Sequence, residues 1–137
     1  YNIALKKIEE IGIVPTKQRR ILAKILFEKG NRHISAENLF DEVKKQDRKI
    51  SMATIYNTLK QFTNLGLIRE IVVDKNKSLY DTNNKPHYHL YIEDEGKVHD
   101  IPTNNVNLDL PSIPACLNLH NIDVIVRVRS LKDNKKN

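Results

Sequence analysis

The chain has 137 residues, enough for one ordinary domain or two small ones, and its 23 Lys and Arg against 17 Asp and Glu give a net charge of +6. No apolar run approaches the roughly 20 residues that span a bilayer, and no basic stretch leading into an apolar one marks a secretory leader, so no membrane partner is expected. The single cysteine, Cys116, excludes an intrachain disulfide and fits a reducing, cytoplasmic setting. Charge is unevenly spread: residues 1–84 hold 16 Lys and Arg against 10 Asp and Glu, whereas residues 85–137 hold 7 of each.

In chain order, Leu5, Ile8 and Ile11 recur at helical spacing and predict a helix over 3–11. Thr16 then caps a helix over about 17–29 that carries Lys17, Arg19 and Arg20 and is stopped by Gly30. Ser35 caps a third, amphipathic helix over 36–46. Ser51 caps a fourth over 52–65, with apolar residues at 52, 55, 59, 62 and 65 on one stripe and Gly66 closing it. Two β-rich runs, at 67–73 and 78–81, flank the polar turn at 74–77. Helices followed by a hairpin make residues 1–83 a winged helix-turn-helix.

The fourth helix starts with a small, polar outward face of Ser51, Ala53, Thr54 and Asn57, with Tyr56 beside it. A helix that enters a major groove needs little bulk, hydrogen-bonding groups and a methyl or ring to meet thymine. A basic half is on its own an ordinary solvated surface. Coinciding with this helix, it reads as the footprint of double-stranded DNA, with Lys17, Arg19 and Arg20 on phosphates.

Residues 83–86 (Asn-Asn-Lys-Pro) are turn-rich, and the hinge is placed at 84–86. Beyond it, strands are expected near 87–93, 97–101, 105–110 and 122–130, with a short helical turn around 112–120. Residues 87–131 thus read as a small α/β dimerisation domain, giving an α+β fold overall. A domain of that size is marginal without a staple or partner, so a homodimer is expected, with the strand at 122–128 as its interface. The basic tail at 132–137 has the composition of a disordered segment.

Five ligand-type residues stand between positions 33 and 100: His33, Asp81, His87, His89 and Asp100. Three imidazoles and two carboxylates form a borderline N/O set suited to Fe(II), Mn(II), Zn(II) or Co(II) rather than Cu(I). In a strand, His87 and His89 project from one face, because side chains alternate. Taken singly, each carboxylate is as well read as an ordinary strand-end residue. His99 should point away from Asp100 and His120 stands in a loop, so both read as non-ligands.

The runs Pro15-Thr16-Lys17-Gln18-Arg19-Arg20, His33-Ile34-Ser35-Ala36-Glu37 and Ile50-Ser51-Met52-Ala53-Thr54-Ile55-Tyr56-Asn57, spaced as they are from Tyr80-Asp81, His87-Tyr88-His89 and Gly96-Lys97-Val98-His99-Asp100, resemble the ferric uptake regulator family. The match runs over roughly residues 10–102. It implies a metal-responsive repressor that binds operator DNA as a homodimer and controls iron or haem homeostasis genes. It puts His33, Asp81, His87, His89 and Asp100 on the family's regulatory metal site, and Asp at 81 and 100 is the pattern of its peroxide-sensing branch.

Departures from the family pattern are as informative. Ile92 and Glu95 stand where a first C-x-x-C pair is expected and the second pair is missing, so no structural four-cysteine zinc site is expected. Val14 replaces a basic residue near the second helix, Asn57 an arginine on the recognition helix, and Pro86 and Tyr88 the additional ligands beside the histidine pair. Loss of the cysteines, with the ending at 122–129, resembles the iron response regulator subgroup, in which the histidine-rich segment is associated with haem as well as metal. No Cys-Pro haem motif is present.

Two other classes stay open at this level. His87, His89 and a carboxylate mimic the facial triad of a mononuclear non-haem iron enzyme, although five ligands would saturate the ion and no cofactor loop is visible. Alternatively, a winged-helix DNA binder could use its sheet only to dimerise, with surface histidines. A non-enzymatic, metal-responsive regulator is the favoured reading.

Overall fold

The computed structural model describes residues 2–10, 16–83 and 85–131. The expectations for Val14 and Pro15, for residue 84 of the hinge and for the tail at 132–137 lie outside the described residues. The chain divides into two compact units, Tyr1–Asn84 and Lys85–Asn137.

The first unit contains α1 (Asn2–Glu10), α2 (Lys17–Phe27), β1 (His33–Ile34), α3 (Ala36–Lys45), α4 (Met52–Asn64), β2 (Arg69–Asp74) and β3 (Lys77–Asp81). Three of its helices start where a hydroxyl can satisfy an orphan amide. Thr16 accepts from the Arg19 N–H, Ser35 from the Asn38 N–H and Ser51 from the Thr54 N–H, at 3.1–3.2 Å. Gly66, at φ +75°, ends α4 in the left-handed region that a β-carbon disfavours. The helices close over a core that includes Leu22, Leu26, Leu39, Val43, Ile55, Leu59 and Phe62. β1, β3 and β2 form an antiparallel sheet in that order. β1 is the element that local periodicity misses, since two residues become a strand only through pairing with β3.

The second unit is a sheet of order β5-β4-β6, where β4 is Tyr88–Ile92, β5 Lys97–Ile101 and β6 Ile125–Val128. β4 pairs antiparallel with β5 and parallel with β6. The acidic turn after β4 anchors β6. Glu93 accepts from Arg127 Nη1 at 3.2 Å and from Arg129 Nε at 2.9 Å, while Asp94 accepts from the Ser130 N–H and Ser130 Oγ donates to Glu95. Thus the turn for which the family resemblance expects a cysteine pair is tied to β6 by carboxylates.

One expectation fails here and a second is cut short. No strand covers 105–110: a 3-10 turn at Thr103–Asn105 leads into a stretch with no helix or strand up to β6. The segment joins neither outer strand of the sheet, β5 nor β6, and Pro111 at its end cannot donate to a ladder. The short helical turn expected around 112–120 is reduced to a single hydrogen-bonded turn, Leu117 N–H to Pro114 O at 2.9 Å, since Pro111 and Pro114 oppose helical continuation. Leu108, Leu110, Ile113, Leu117 and Leu119 are left exposed along this stretch.

Candidate metal centre and groove-facing surface

In the first unit, β1 sets His33 directly opposite Asp81 at the end of β3. The imidazole Nε2 lies 3.4 Å from Asp81 Oδ2, and the carboxylate is fully buried. A buried carboxylate needs partners, and Asp81 Oδ1 also accepts the Asn83 N–H at 2.9 Å. The position of His33 is fixed from the residue before it. The Arg32 N–H donates to Thr82 Oγ1 at 2.9 Å and the Thr82 N–H to Arg32 O at 3.1 Å, while the Arg32 guanidinium grips Glu42 of α3 with two parallel hydrogen bonds. Arg32, Glu42 and Thr82 are positioning residues that no motif announced.

In the second unit, His89 on β4 is the register partner of Asp100 on β5. His87, just before β4, brings Nε2 to 3.4 Å from Asp100 Oδ1, and His89 Nε2 lies 4.0 Å from the same oxygen. The two rings meet edge to face with centroids 4.6 Å apart. Both histidines are buried. His87 Nδ1 lies 2.5 Å from the Lys85 carbonyl oxygen, which accepts the ring proton and leaves Nε2 as the lone-pair nitrogen. A carbonyl behind the distal nitrogen is the usual way in which a metal-binding histidine is held to one tautomer and orientation. The ligand atoms of His87, His89 and Asp100 lie within 4.8 Å of one another, as do those of His33 and Asp81. Donor type, burial and the fixed tautomer fit a divalent ion of the Fe, Mn or Zn kind. His99 pairs with Leu90, as expected for the opposite face from Asp100, and both His99 and His120 are exposed.

The residues expected to face a groove are on α4 and its cap. Ser51, Ala53, Tyr56 and Asn57 are exposed, and Thr54 is half-buried. The Ser51 hydroxyl is occupied in capping, because it accepts from the Thr54 N–H and donates to Thr54 Oγ1 at 2.9 Å. Tyr56 O–H donates to Glu37 Oε2 at 2.5 Å. Lys17 and Arg20 are exposed and Arg19 half-buried at the start of α2. Lys17 and Gln18 line a groove of about 320 Å³ with Arg48 and Lys49, two cations that composition signalled but no motif singled out.

A sequence model of the ferric uptake regulator family matches residues 10–128. The peroxide-responsive repressor PerR of Staphylococcus aureus (strain Mu50) is 29% identical over 104 residues, spanning 76% of this chain and 70% of the repressor. Among solved structures, the ferric uptake regulator of Pseudomonas aeruginosa with manganese superposes with a TM-score of 0.73 at 20% identity, covering 93% of this chain and 98% of that one. The Campylobacter jejuni peroxide stress regulator superposes with a TM-score of 0.63 at 25% identity, covering 93% and 96%.

Proposed function

This chain belongs to the ferric uptake regulator family of metal-responsive transcription regulators, and on that premise we propose that it binds operator DNA as a homodimer when one divalent ion occupies His33, Asp81, His87, His89 and Asp100. Its targets on this reading are metal-homeostasis genes, and its compartment is the cytoplasm that holds them. The observation that carries the proposal is the histidine arrangement of the second unit: two buried imidazoles packed edge to face beside one carboxylate, with a backbone carbonyl behind His87 Nδ1. The ion contributes a positive charge that draws carboxylates and imidazole lone pairs to one point. His87 Nε2, His89 and Asp100 would hold it in the second unit, and His33 and Asp81 would offer the first unit's ligands.

Ligands drawn from both units would restrain the linker between them. An ion can shift such an equilibrium only by the difference in its affinity for the two arrangements, and it favours the one in which all five ligands converge. A dimer in that arrangement presents its two α4 helices to successive major-groove faces about 34–36 Å apart. Elemental analysis, with DNA affinity measured before and after chelation, tests this. One ion per chain and weaker binding after chelation support it; no ion, or an ion without effect on DNA, refutes it.

Peroxide sensing is a second reading, favoured by the Staphylococcus aureus peroxide-responsive repressor among the relatives and by aspartate at both carboxylate positions. Mass spectrometry of the Fe(II)-loaded protein after peroxide would show the gain of one oxygen on His33, His87 or His89 if it holds.

A further inference from the structure

The exposed tyrosine of α4 is tethered. Tyr56 is 45% exposed, yet its hydroxyl lies 2.5 Å from Glu37 Oε2 in the first turn of α3. The pair lines a cleft of about 300 Å³ with Ala36, Glu70, Ser78 and Tyr80, between the outer face of α4 and the β2–β3 hairpin. Glu37 is held below its usual pKa, chiefly by this hydrogen bond, and the Tyr56 phenol is pushed up by the same contact. At neutral pH the carboxylate is therefore ionised and can only accept, so the phenol donates its single proton to it. What the phenolic oxygen has left for any other partner is its lone pairs.

We propose that Glu37 is a specificity-determining residue: by taking the Tyr56 proton it makes the phenolic oxygen a pure acceptor, so that Tyr56 selects a base presenting an amino group in the major groove. Those groups are N6–H₂ of adenine and N4–H₂ of cytosine, whereas thymine O4 and guanine O6 and N7 offer only acceptors. A Tyr56 hydroxyl free to rotate could satisfy either kind, and the tether removes that ambiguity. Glu37 also sits favourably against the positive end of the α3 dipole, but that contribution is local to the helix and carries no base preference.

This inference rests on the operator-binding reading above. Its test is selection from a randomised duplex library by the full chain loaded with Mn²⁺, comparing wild type, Glu37→Gln and Tyr56→Phe. Wild type should enrich a motif in which one position of each half-site admits either adenine or cytosine on the same strand and excludes thymine and guanine there, since every base pair presents an amino group on one strand or the other. In Glu37→Gln the amide N–H₂ can donate to the phenolic oxygen and free its O–H, so the ratio of A or C to T or G at that position should fall about ten-fold or more, the scale of one base contact. Tyr56→Phe keeps the ring, and should lose the preference at that same position alone. If either variant retains the wild-type preference at every position, the inference is overturned. If wild type itself enriches no motif, the operator-binding reading fails first and this inference with it.

Discussion

His33 and Asp81 face each other in register across β1 and β3, with Nε2 3.4 Å from Oδ2 and the carboxylate fully buried. A two-residue strand has little reason to form by itself. Its register is supplied by Arg32 and Thr82, which exchange two hydrogen bonds immediately beside the pair. The same contacts that complete the sheet therefore deliver an imidazole to a buried carboxylate.

His33→Ala should cost the metal-free protein about 1–3 kcal/mol, the scale on which a buried polar group loses a partner. The same change should weaken divalent ion binding. Urea unfolding of the chelated variant reads the first effect and ion titration the second. Unchanged stability would mean that Asp81 is satisfied without His33.

Tyr56→Ala should weaken binding to a selected operator by about 1–3 kcal/mol, the scale of a good base contact. Binding to a random duplex should barely change, because on the proposed reading it depends on phosphate contacts from residues such as Lys17, Arg19 and Arg20. Equal losses on both duplexes would make Tyr56 a backbone-positioning residue.

Much of this architecture was readable along the chain because its signals are local. Thr16, Ser35 and Ser51 each accept the amide three residues on, as capping residues do. The hairpin strands and the pair Tyr88–Ile92 and Lys97–Ile101 follow from alternation and a turn. Features set by distant partners were not readable. β1 exists through β3, about 47 residues away in sequence by its register, and β6 joins β4 in parallel across a long connection. The stretch before β6 carries apolar residues at strand-like density, but it joins neither outer strand of the sheet. Of the candidate site, the residue types were legible, and the strand expected from 87 starts one residue later, at Tyr88, so that His87 precedes it. The Lys85 carbonyl behind His87 and the Glu37 tether on Tyr56 were not legible, because each requires the folded backbone.

Glu93 provides a pH test of how β6 is held. Its carboxyl is pushed below the usual range, first by the Arg129 hydrogen bond and then by Arg127. A depressed folded pKa contributes stability that is present above the unfolded value and is lost as pH falls through the folded one. Amide exchange, corrected for its intrinsic pH dependence, should show β6 protected at neutral pH and losing protection below the usual carboxylate range. Glu93→Gln should remove that pH dependence. An acid-insensitive β6 in wild type would mean that ladder hydrogen bonds alone hold the strand.

Dimer and ion should be separable. β6 is an outer strand of its sheet, and Val126 on it is 39% exposed. Ile125 is the register partner of His89, so a polar change there would disturb a ligand as well as the strand face. Val126→Asp is the cleaner probe and should give monomers that still bind the ion. Chelation of wild type should remove the ion and leave dimers. Light scattering on both samples decides this, and monomers after chelation alone would mean that a metal holds the dimer together.

The most direct test of metal control combines His87→Ala and His89→Ala in one chain and measures its affinity for the selected operator with and without Mn²⁺. Both histidine rings lie beside Asp100 and belong to a different unit from α4, so the change should leave random-duplex binding intact. Mn²⁺ should tighten operator binding by wild type and have no effect on the double variant, which binds no ion at this site. A double variant that keeps one tightly bound ion per chain, or still tightens on operator with Mn²⁺, would contradict the proposed metal control.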